Sequence, residues 1–395
     1  MGDMDAPGTM DAPGTVDVVV VGGGVIGLSA AWRAAAGGAS VAVLDPDPGR
    51  GSTWAAAGML APVGEAHFGE EPLARLNVAA ARAWPAFAGR LEEASGVTVG
   101  YRAGGTVVAA HDTSDRAAVD DLLAFQLDLG LEARRLSAAE CRGLEPLLAP
   151  GIRGGAEFAG DHQVDNRRVV EALLEACRRS GVTVLRDEVV AVTTRSRRVT
   201  GVTRGGGDPV GARWVVVAAG ARSGELGGLP PDAVPPVRPV KGLTLRLRAP
   251  GDGPALVRTV RGLVRGRSCY LVPRADGTLV VGATMEERGF DLAPQAGPVH
   301  DLLDDARAVV PAVDEYTVEE LSTGSRPGTP DNAPLVGPIG PEGLVVATGH
   351  FRNGILLAPV TAEAVATVVA GGAVPDELAP FGPGRFAARG VPVPT

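Results

Sequence analysis

Apolar positions along the chain follow two rhythms. Near the start, Val16–Val21 (VDVVVV) is an almost unbroken apolar run, as in a central strand covered on both faces of a parallel sheet. GGGVIGLSAAWRAAAGG follows and predicts a turn, then a helix to about Ala36 ended by Gly37-Gly38. SVAVLD predicts a second buried strand ending at Asp45, which completes a βαβ unit. A loop is expected from Pro46 to about Pro62. Helical spacing follows over Leu73–Ser95, near Arg116–Leu129, at SAAECRGLEP and from about Asp165, with a strand in AGGTVVAA. VVAVTTRSRRVTGVTR predicts paired strands, and ARWVVVAAGARSGEL a buried strand running into a Gly-rich turn.

From Val240 the rhythm changes to alternation. GLTLRLRA, CYLVPRADGTLVVGATM and YTVEELSTGSRPGTPD predict antiparallel strands, with Ala275-Asp276-Gly277 as a hairpin turn. After Pro330 the first rhythm returns as a short strand, Leu344–Thr348, and a closing helix from Asn353-Gly354. The fold class is therefore α/β. A Rossmann-like nucleotide-binding domain is assembled from discontinuous pieces, with an inserted antiparallel-sheet domain.

Composition narrows the function. A chain of 395 residues, 45% hydrophobic, is long enough for a bilobal enzyme. Its net charge of -9, without a basic tail or stripe, argues against a nucleic-acid partner. Cys141, Cys177 and Cys269 form no C-x-x-C pair and read as reduced thiols of a cytoplasmic protein. The five histidines are dispersed without H-E-x-x-H, so no metal site is expected. Gly, Arg or Asp interrupts each apolar stretch before it could span a membrane. The hexapeptide MDAPGT occurs at residues 4–9 and again at 10–15; residues 1–15 are expected to be a disordered tail, with Met4 and Met10 as alternative starts.

Gly22, Gly24 and Gly27 form G-x-G-x-x-G in its physical context: a strand before it, a helix opening on it, and an acid ending the next strand. Gly22 permits the tight turn, Gly24 lets the backbone approach a pyrophosphate, and Gly27 lets helix pack on strand. Val25 and Ile26, in the same turn, count among the contact residues. Asp45 is placed to accept from ribose hydroxyls and would repel a 2′-phosphate, which disfavours NADP. The fingerprint itself does not separate NAD from FAD. FAD is favoured because the chain begins directly with this fingerprint, no second one follows for a nicotinamide, and WVVVAAG supplies another apolar strand ending in Gly.

The stretches GSTWAAAGMLAP, CYLVPRADGTLVVGATM, GSRPGTPDNAPLVGP and GHFRNGILLAP, with the fingerprint, resemble the FAD-dependent D-amino-acid oxidase superfamily. Within it they are most similar to the bacterial glycine oxidases of thiamine biosynthesis. The resemblance covers roughly residues 16–370 in matching order. It implies an FAD-binding domain from 16–85, 150–235 and 322–375, a substrate-binding domain from 86–149 and 236–321, and a C-terminal tail from 376. Cofactor contacts are implied at Ser52, Thr53, Ala57, Gly58, Met59, Val189, Ala219, Gly220, Arg326, Arg352, Asn353, Gly354 and Ile355. The substrate carboxylate is implied to lie on Arg326, with Tyr270 donating a second bond, Met285 on the pocket wall and Arg352 near the flavin edge as electrostatic support. A planar guanidinium suits a carboxylate because it offers two parallel donors. Taken alone, Tyr270 reads equally as sheet core, Arg326 as a surface turn and Met285 as core packing.

Two departures matter. Sarcosine oxidases attach FAD through a cysteine shortly before a similar T-P-D stretch; here STGSRPGTPD has none, so FAD is expected to be noncovalent. Ser268 stands where some glycine oxidases carry a bulkier histidine, which bears on pocket size and on a strict preference for glycine. The implied reaction is hydride transfer from the α-carbon of a small amino acid or amine to flavin, giving an imine that hydrolyses to an oxo acid and ammonia, while O2 becomes H2O2. No side-chain base is demanded, and the N-terminus of the closing helix is expected to favour anionic reduced flavin. A homo-oligomer is implied. Rival readings are a sarcosine or D-amino-acid oxidase or dehydrogenase, an NAD-linked dehydrogenase, and a nonenzymatic binder; a hydrolase is disfavoured because G-x-S-x-G is missing.

Overall fold

In the computed structural model, which describes residues 14–251 and 255–386, the two rhythms form two sheets. Strand Thr15–Val21 lies inside the first. It pairs in parallel with Val41–Leu44 on one side and Pro209–Val217 on the other. Thr183–Leu185 and Leu344–Thr348 extend the parallel set outward. Val18 and Val20 pack among the helices Val25–Ala36, Asn166–Arg179 and Gly354–Val369, while Val19 and Val21 pack toward the hairpin Val189–Arg195/Arg198–Arg204. Burial on both faces is why the first strand reads as unbroken valine.

In such sheets ligands lie at the carboxyl ends of the strands. Those ends are Gly22, Asp45, Ala218–Gly220 and Gly349-His350.

The second sheet runs Thr317–Gly328, Arg238–Arg248, Thr278–Gly282, Arg267–Pro273, Thr259–Val264, Thr106–Ala110, Gly155–Phe158, Arg134–Leu136. One face buries Leu243, Leu245, Val260, Leu271 and Leu279 with Leu302 and Ala306 of helix Ala296–Val309. The opposite face carries a register row of Thr244, Gly282, Tyr270, Arg261 and Val108 on adjacent strands. Strict alternation assigns every second residue to that face.

Several expectations shift. Strand Thr259–Val264 and helix Ala296–Val309 had not been expected. Arginines at 258, 261, 265 and 267 mask the alternation of Val260, Gly262 and Val264. The expected loop 46–62 contains a short helix, Ser52–Ala55, and a strand, Met59–Leu60, paired with His162–Gln163. Expected domain boundaries fall within elements: helix Glu71–Ser95 runs through 85/86, and strand Thr317–Gly328 through 321/322. Gly155–Phe158, assigned to the first domain, pairs in the second sheet. Residues 376–386 are not a free tail, because Leu378 and Phe381 are buried and Arg385 pairs with Asp331. At the N-terminus Thr15 already belongs to the first strand; the rest of the expected tails, 1–13 and 387–395, lies outside the described residues.

Candidate active site

A continuous cavity of about 1200 Å3 runs from the carboxyl ends of the first sheet to the polar face of the second. All the sequence-predicted site residues line it except Gly27.

At the first-sheet end the wall is backbone. Gly22 has φ +107°, and a Cβ there would sit 2.4 Å from the Ala218 carbonyl oxygen. A Cβ on Gly27 would sit 1.9 Å from the Gly22 oxygen, which explains its place behind the wall: it seats the helix on the strand. The first turn of helix Val25–Ala36 has no acidic residue, and its amides point out of the helix without intrahelical partners. Thr53 Oγ1 accepts from one of them, Val25 N–H, at 3.1 Å. Asp45 is partly engaged already, accepting from the N–H groups of Gly23 (2.6 Å) and Asp47 (2.8 Å). A carboxylate has about four lone-pair sites, so ribose hydroxyls remain within its capacity.

The segment 51–59 bends around the cavity and is held from behind. Asn166 Nδ2 donates to the Thr53 carbonyl (2.7 Å); Arg274 donates to the Ala57 carbonyl (2.6 Å) and to Gln163 Oε1 (2.7 Å). Burial lowers the Arg274 guanidinium to about 10, so it stays charged at neutral pH. Gly58 has φ +69°, and a Cβ there would fall 2.1 Å from the Val164 oxygen. Val189, Ala219 and Gly220 close the opposite wall.

At the second-sheet end the wall is charged. The Arg326 guanidinium lies over Gly242, where a Cβ would be 2.3 Å from Nη1. Its Nη1 donates to the Thr284 carbonyl at 3.0 Å and the Lys241 carbonyl at 3.4 Å, and it has no carboxylate partner among the described residues. The Tyr270 ring lies over Gly282 in the same way, with its hydroxyl 2.3 Å from a Cβ there. Burial raises the Tyr270 pKa, which keeps the phenol protonated and able to donate. Two side chains that alone read as core or surface are thus seated on glycines, Gly242 inside one strand and Gly282 at the end of another. Gly within or ending a strand marks a close approach, and this is the signal the sequence carries for both side chains. Met285 is 68% exposed at the cavity mouth, which excludes core packing. Ser268 is exposed on the same strand as Tyr270.

Arg352 departs from its expected role. Its Nε donates to Glu65 Oε2 at 2.6 Å and its Nη2 to Glu70 Oε2, so its charge is already balanced. Glu65 also accepts from Arg261 Nη1 at 2.7 Å. Burial would raise the Glu65 pKa, but Arg261 and Arg352 outweigh burial and bring it to about 2. Asp161, wholly buried, accepts from Val63 and Gly64 N–H at 2.9 Å each and fixes the segment carrying Glu65; burial pushes its carboxyl up to about 7 against those donors. Glu65, Arg261, Asp161, Asn166 and Arg274 had escaped sequence reasoning. Their partners lie far away in sequence, and no local pattern announces such pairs.

The closing turn contributes Asn353, 2% exposed, with both amide atoms unpaired among the described residues. It stands at the N-terminus of helix Gly354–Val369, beside Ile355. His350 is buried, forms a 3.0 Å bond with Thr361 Oγ1, and is pushed by burial to about 3, so it is a neutral structural group. An elongated dinucleotide fits this wall: at one end a bare-backbone turn where Gly22 and Gly27 have no room for a Cβ and Gly24 presents no side chain, and at the other an orphaned amide at a helix N-terminus.

Comparison with known proteins agrees with that fit. The family described as FAD dependent oxidoreductase (DAO) matches residues 17–368. The hydrogen cyanide synthase subunit HcnC of Pseudomonas aeruginosa is 29% identical, over 94% of this chain and 96% of that one. The glycine oxidase of Pseudomonas putida is 34% identical, over 93% of this chain and 98% of that one. The crystal structure of glycine oxidase from Geobacillus kaustophilus superposes with a TM-score of 0.86 at 32% identity, covering 94% and 99% of the two chains. With Gly22, Gly24, Asp45 and Asn353 lining one cavity and the family matched from strand Thr15–Val21 through helix Gly354–Val369, the chain belongs to the DAO family of FAD-dependent oxidoreductases.

Proposed function

We propose that this protein is an oxidase that deaminates glycine or another small amino acid or amine, holding FAD noncovalently and passing its electrons to O2. The observation carrying this reading is Arg326: a cation on the cavity wall, seated on Gly242, whose partners are two carbonyl oxygens and the Tyr270 hydroxyl, with no carboxylate among the described residues. A substrate carboxylate is the partner it lacks. Arg261 and Arg352 are paired with Glu65 and Glu70, so neither competes for it.

FAD, when bound, supplies the two-electron acceptor. The chain supplies position and field. Arg326 grips the carboxylate with two donors, and Tyr270, one strand beyond Gly282, donates a third bond that sets rotation about the Cα–carboxylate bond. Cys269 cannot tether a cofactor from its place, since its sulfur lies 2.8 Å from where a Cβ on Gly262 would be, next to Val309 on the apolar face of the sheet. The test is a peroxide assay with FAD-saturated protein across glycine, sarcosine, D-alanine and D-proline, alongside anaerobic bleaching of the flavin band. Peroxide in proportion to amine consumed is the expected result. Bleaching without peroxide would move the protein to the dehydrogenases, and neither signal with any amine would sink the reading.

A further inference from the structure

The cavity does not end at Tyr270. It continues along the same sheet face, past Arg261, to Leu263 and Val108 on the next two strands, and under helix Thr113–Asp128. Here the lining turns apolar: Val108, Leu263 and Phe158 form the floor, Val119 and Leu122 the roof. Ser268, directly opposite Leu263 in register, is small and lines the same cavity. At the end stands Gln126, wholly buried. Its Nε2 donates to the Val63 carbonyl at 2.9 Å and faces the Ala66 carbonyl at 3.5 Å. Both neighbours are acceptors, so only the NH2 side of the amide can face them. The Oε1 is thereby turned away, and it has no donor among the described residues.

Glycine would use none of this space. The strand carrying Tyr270 and the strand carrying Val108 are separated by two inter-strand spacings, about 10 Å. We propose that the annex is a specificity pocket for a substrate with an extended apolar substituent, alkyl or aryl, ending in an N–H or O–H that donates to Gln126 Oε1. The substituent is carried on the α-carbon or the amine of an amino acid whose carboxylate lies on Arg326. This deepens the oxidase reading and rests on its placement of the carboxylate. Val108, Val119, Leu122, Phe158 and Leu263 would strip water from the substituent, and Gln126 would read its far end. A buried amide oxygen left without a donor is destabilising, so a ligand supplying one gains selectivity over a ligand that does not.

The test uses holoenzyme and carboxylates without an amine, which bind without reacting. Perturbation of the flavin spectrum gives Kd for acetate, hexanoate, indole-3-propionate and its N-methyl analogue. Burial of a group the size of a phenylalanine side chain corresponds to about 10- to 100-fold tighter binding. We expect at least the lower figure for indole-3-propionate over acetate, and a loss of severalfold on N-methylation. In Leu122→Trp, which fills the annex from the half-buried face of its helix, the ratio of the two Kd values should collapse toward one. Leu122→Phe, a smaller change, should give an intermediate ratio, and melting temperature checks that both variants fold. Equal binding of acetate and the longer acids by the wild type would overturn the annex. Equal binding of indole and N-methylindole acids would overturn the role of Gln126. Tight binding of the long acids with no amine turned over would leave the annex standing and remove the oxidase reading instead.

Discussion

At the dinucleotide end of the cavity the wall is made of backbone; where the second sheet takes over, before the apolar annex, it is made of charge. Gly22, Gly24 and Gly27 act by what they lack, since a Cβ at Gly22 or Gly27 would collide with main chain less than 2.5 Å away. Arg326, Tyr270, Arg261, Arg352 and Glu65 act by what they carry, and each depends on a partner from another element. The first kind of site is encoded locally and tolerates no added atom. The second is encoded across the chain and tolerates no uncompensated charge.

The largest effect should therefore come from one methyl group at the backbone end. Gly27→Ala places a carbon 1.9 Å from the Gly22 oxygen, which forces the helix off the strand. We expect protein that purifies without the flavin absorbance band, with a stability loss above about 4 kcal/mol. Retention of full FAD occupancy would break the contrast, because the backbone wall would then be adjustable.

Next in size is Glu65→Gln. One neutral amide replaces a buried carboxylate shared by two guanidinium groups, and breaking a buried pair costs about 3–5 kcal/mol. The pH dependence has a definite sign. The Glu65 carboxyl, brought down to about 2 in the folded protein, binds protons more weakly than the unfolded chain, with its ordinary value of 4.5. Its contribution is thus full above about 4.5 and is lost as pH falls toward 2. Thermal melts across that range should show a smaller acid loss in Glu65→Gln than in the wild type. Parallel curves for the two proteins would mean that the ion cluster does not hold the charged end together.

Arg326→Ala comes third. Removing one partner of a buried hydrogen-bonded charge pair costs about 2–5 kcal/mol, roughly 30- to 4,000-fold in kcat/KM. FAD content should be unchanged, since the cradle lies at the other end. Arg326→Lys should recover only part, because a point charge replaces a planar fork. A loss smaller than threefold would remove Arg326 from the carboxylate and reopen the comparison with Arg352.

How much of this could be read in advance follows the same division. The valine run, the three glycines and Asp45 announced strand, turn, helix and next strand within about thirty residues, because the physical demand there is local. The alternation after Val240 announced the second sheet, yet not strand Thr259–Val264, whose outward positions carry arginine destined for a buried carboxylate. Arg352 stands out in its apolar surroundings and is expected beside the flavin edge as electrostatic support. Glu65 and Glu70, which neutralise it, lie 287 and 282 residues away, and nothing in either segment points to the other. Gly242 and Gly282 are legible in principle, as glycines inside and at the end of strands; only the folded chain shows which side chain lies on each.

The smallest expected effect belongs to Met285. With 68% of its surface exposed, beside Phe290 and Leu292 at 37% and 39%, it sits on an apolar lip around the mouth. It fills no gap in the sheet core, so Met285→Ala should change stability by less than about 0.5 kcal/mol. It carries no charge that a reacting centre would feel. A flexible thioether at a mouth covers whatever enters, and that contact is the same before and after reaction, so its loss should appear in KM rather than kcat. We expect KM to rise severalfold at most, with kcat and FAD content unchanged, in steady-state assays with the preferred amine. A fall in kcat of tenfold or more would place Met285 against the reacting atoms. The charged stretch would then include an apolar side chain that closes over the substrate, and charge alone would no longer describe the reacting part of the wall.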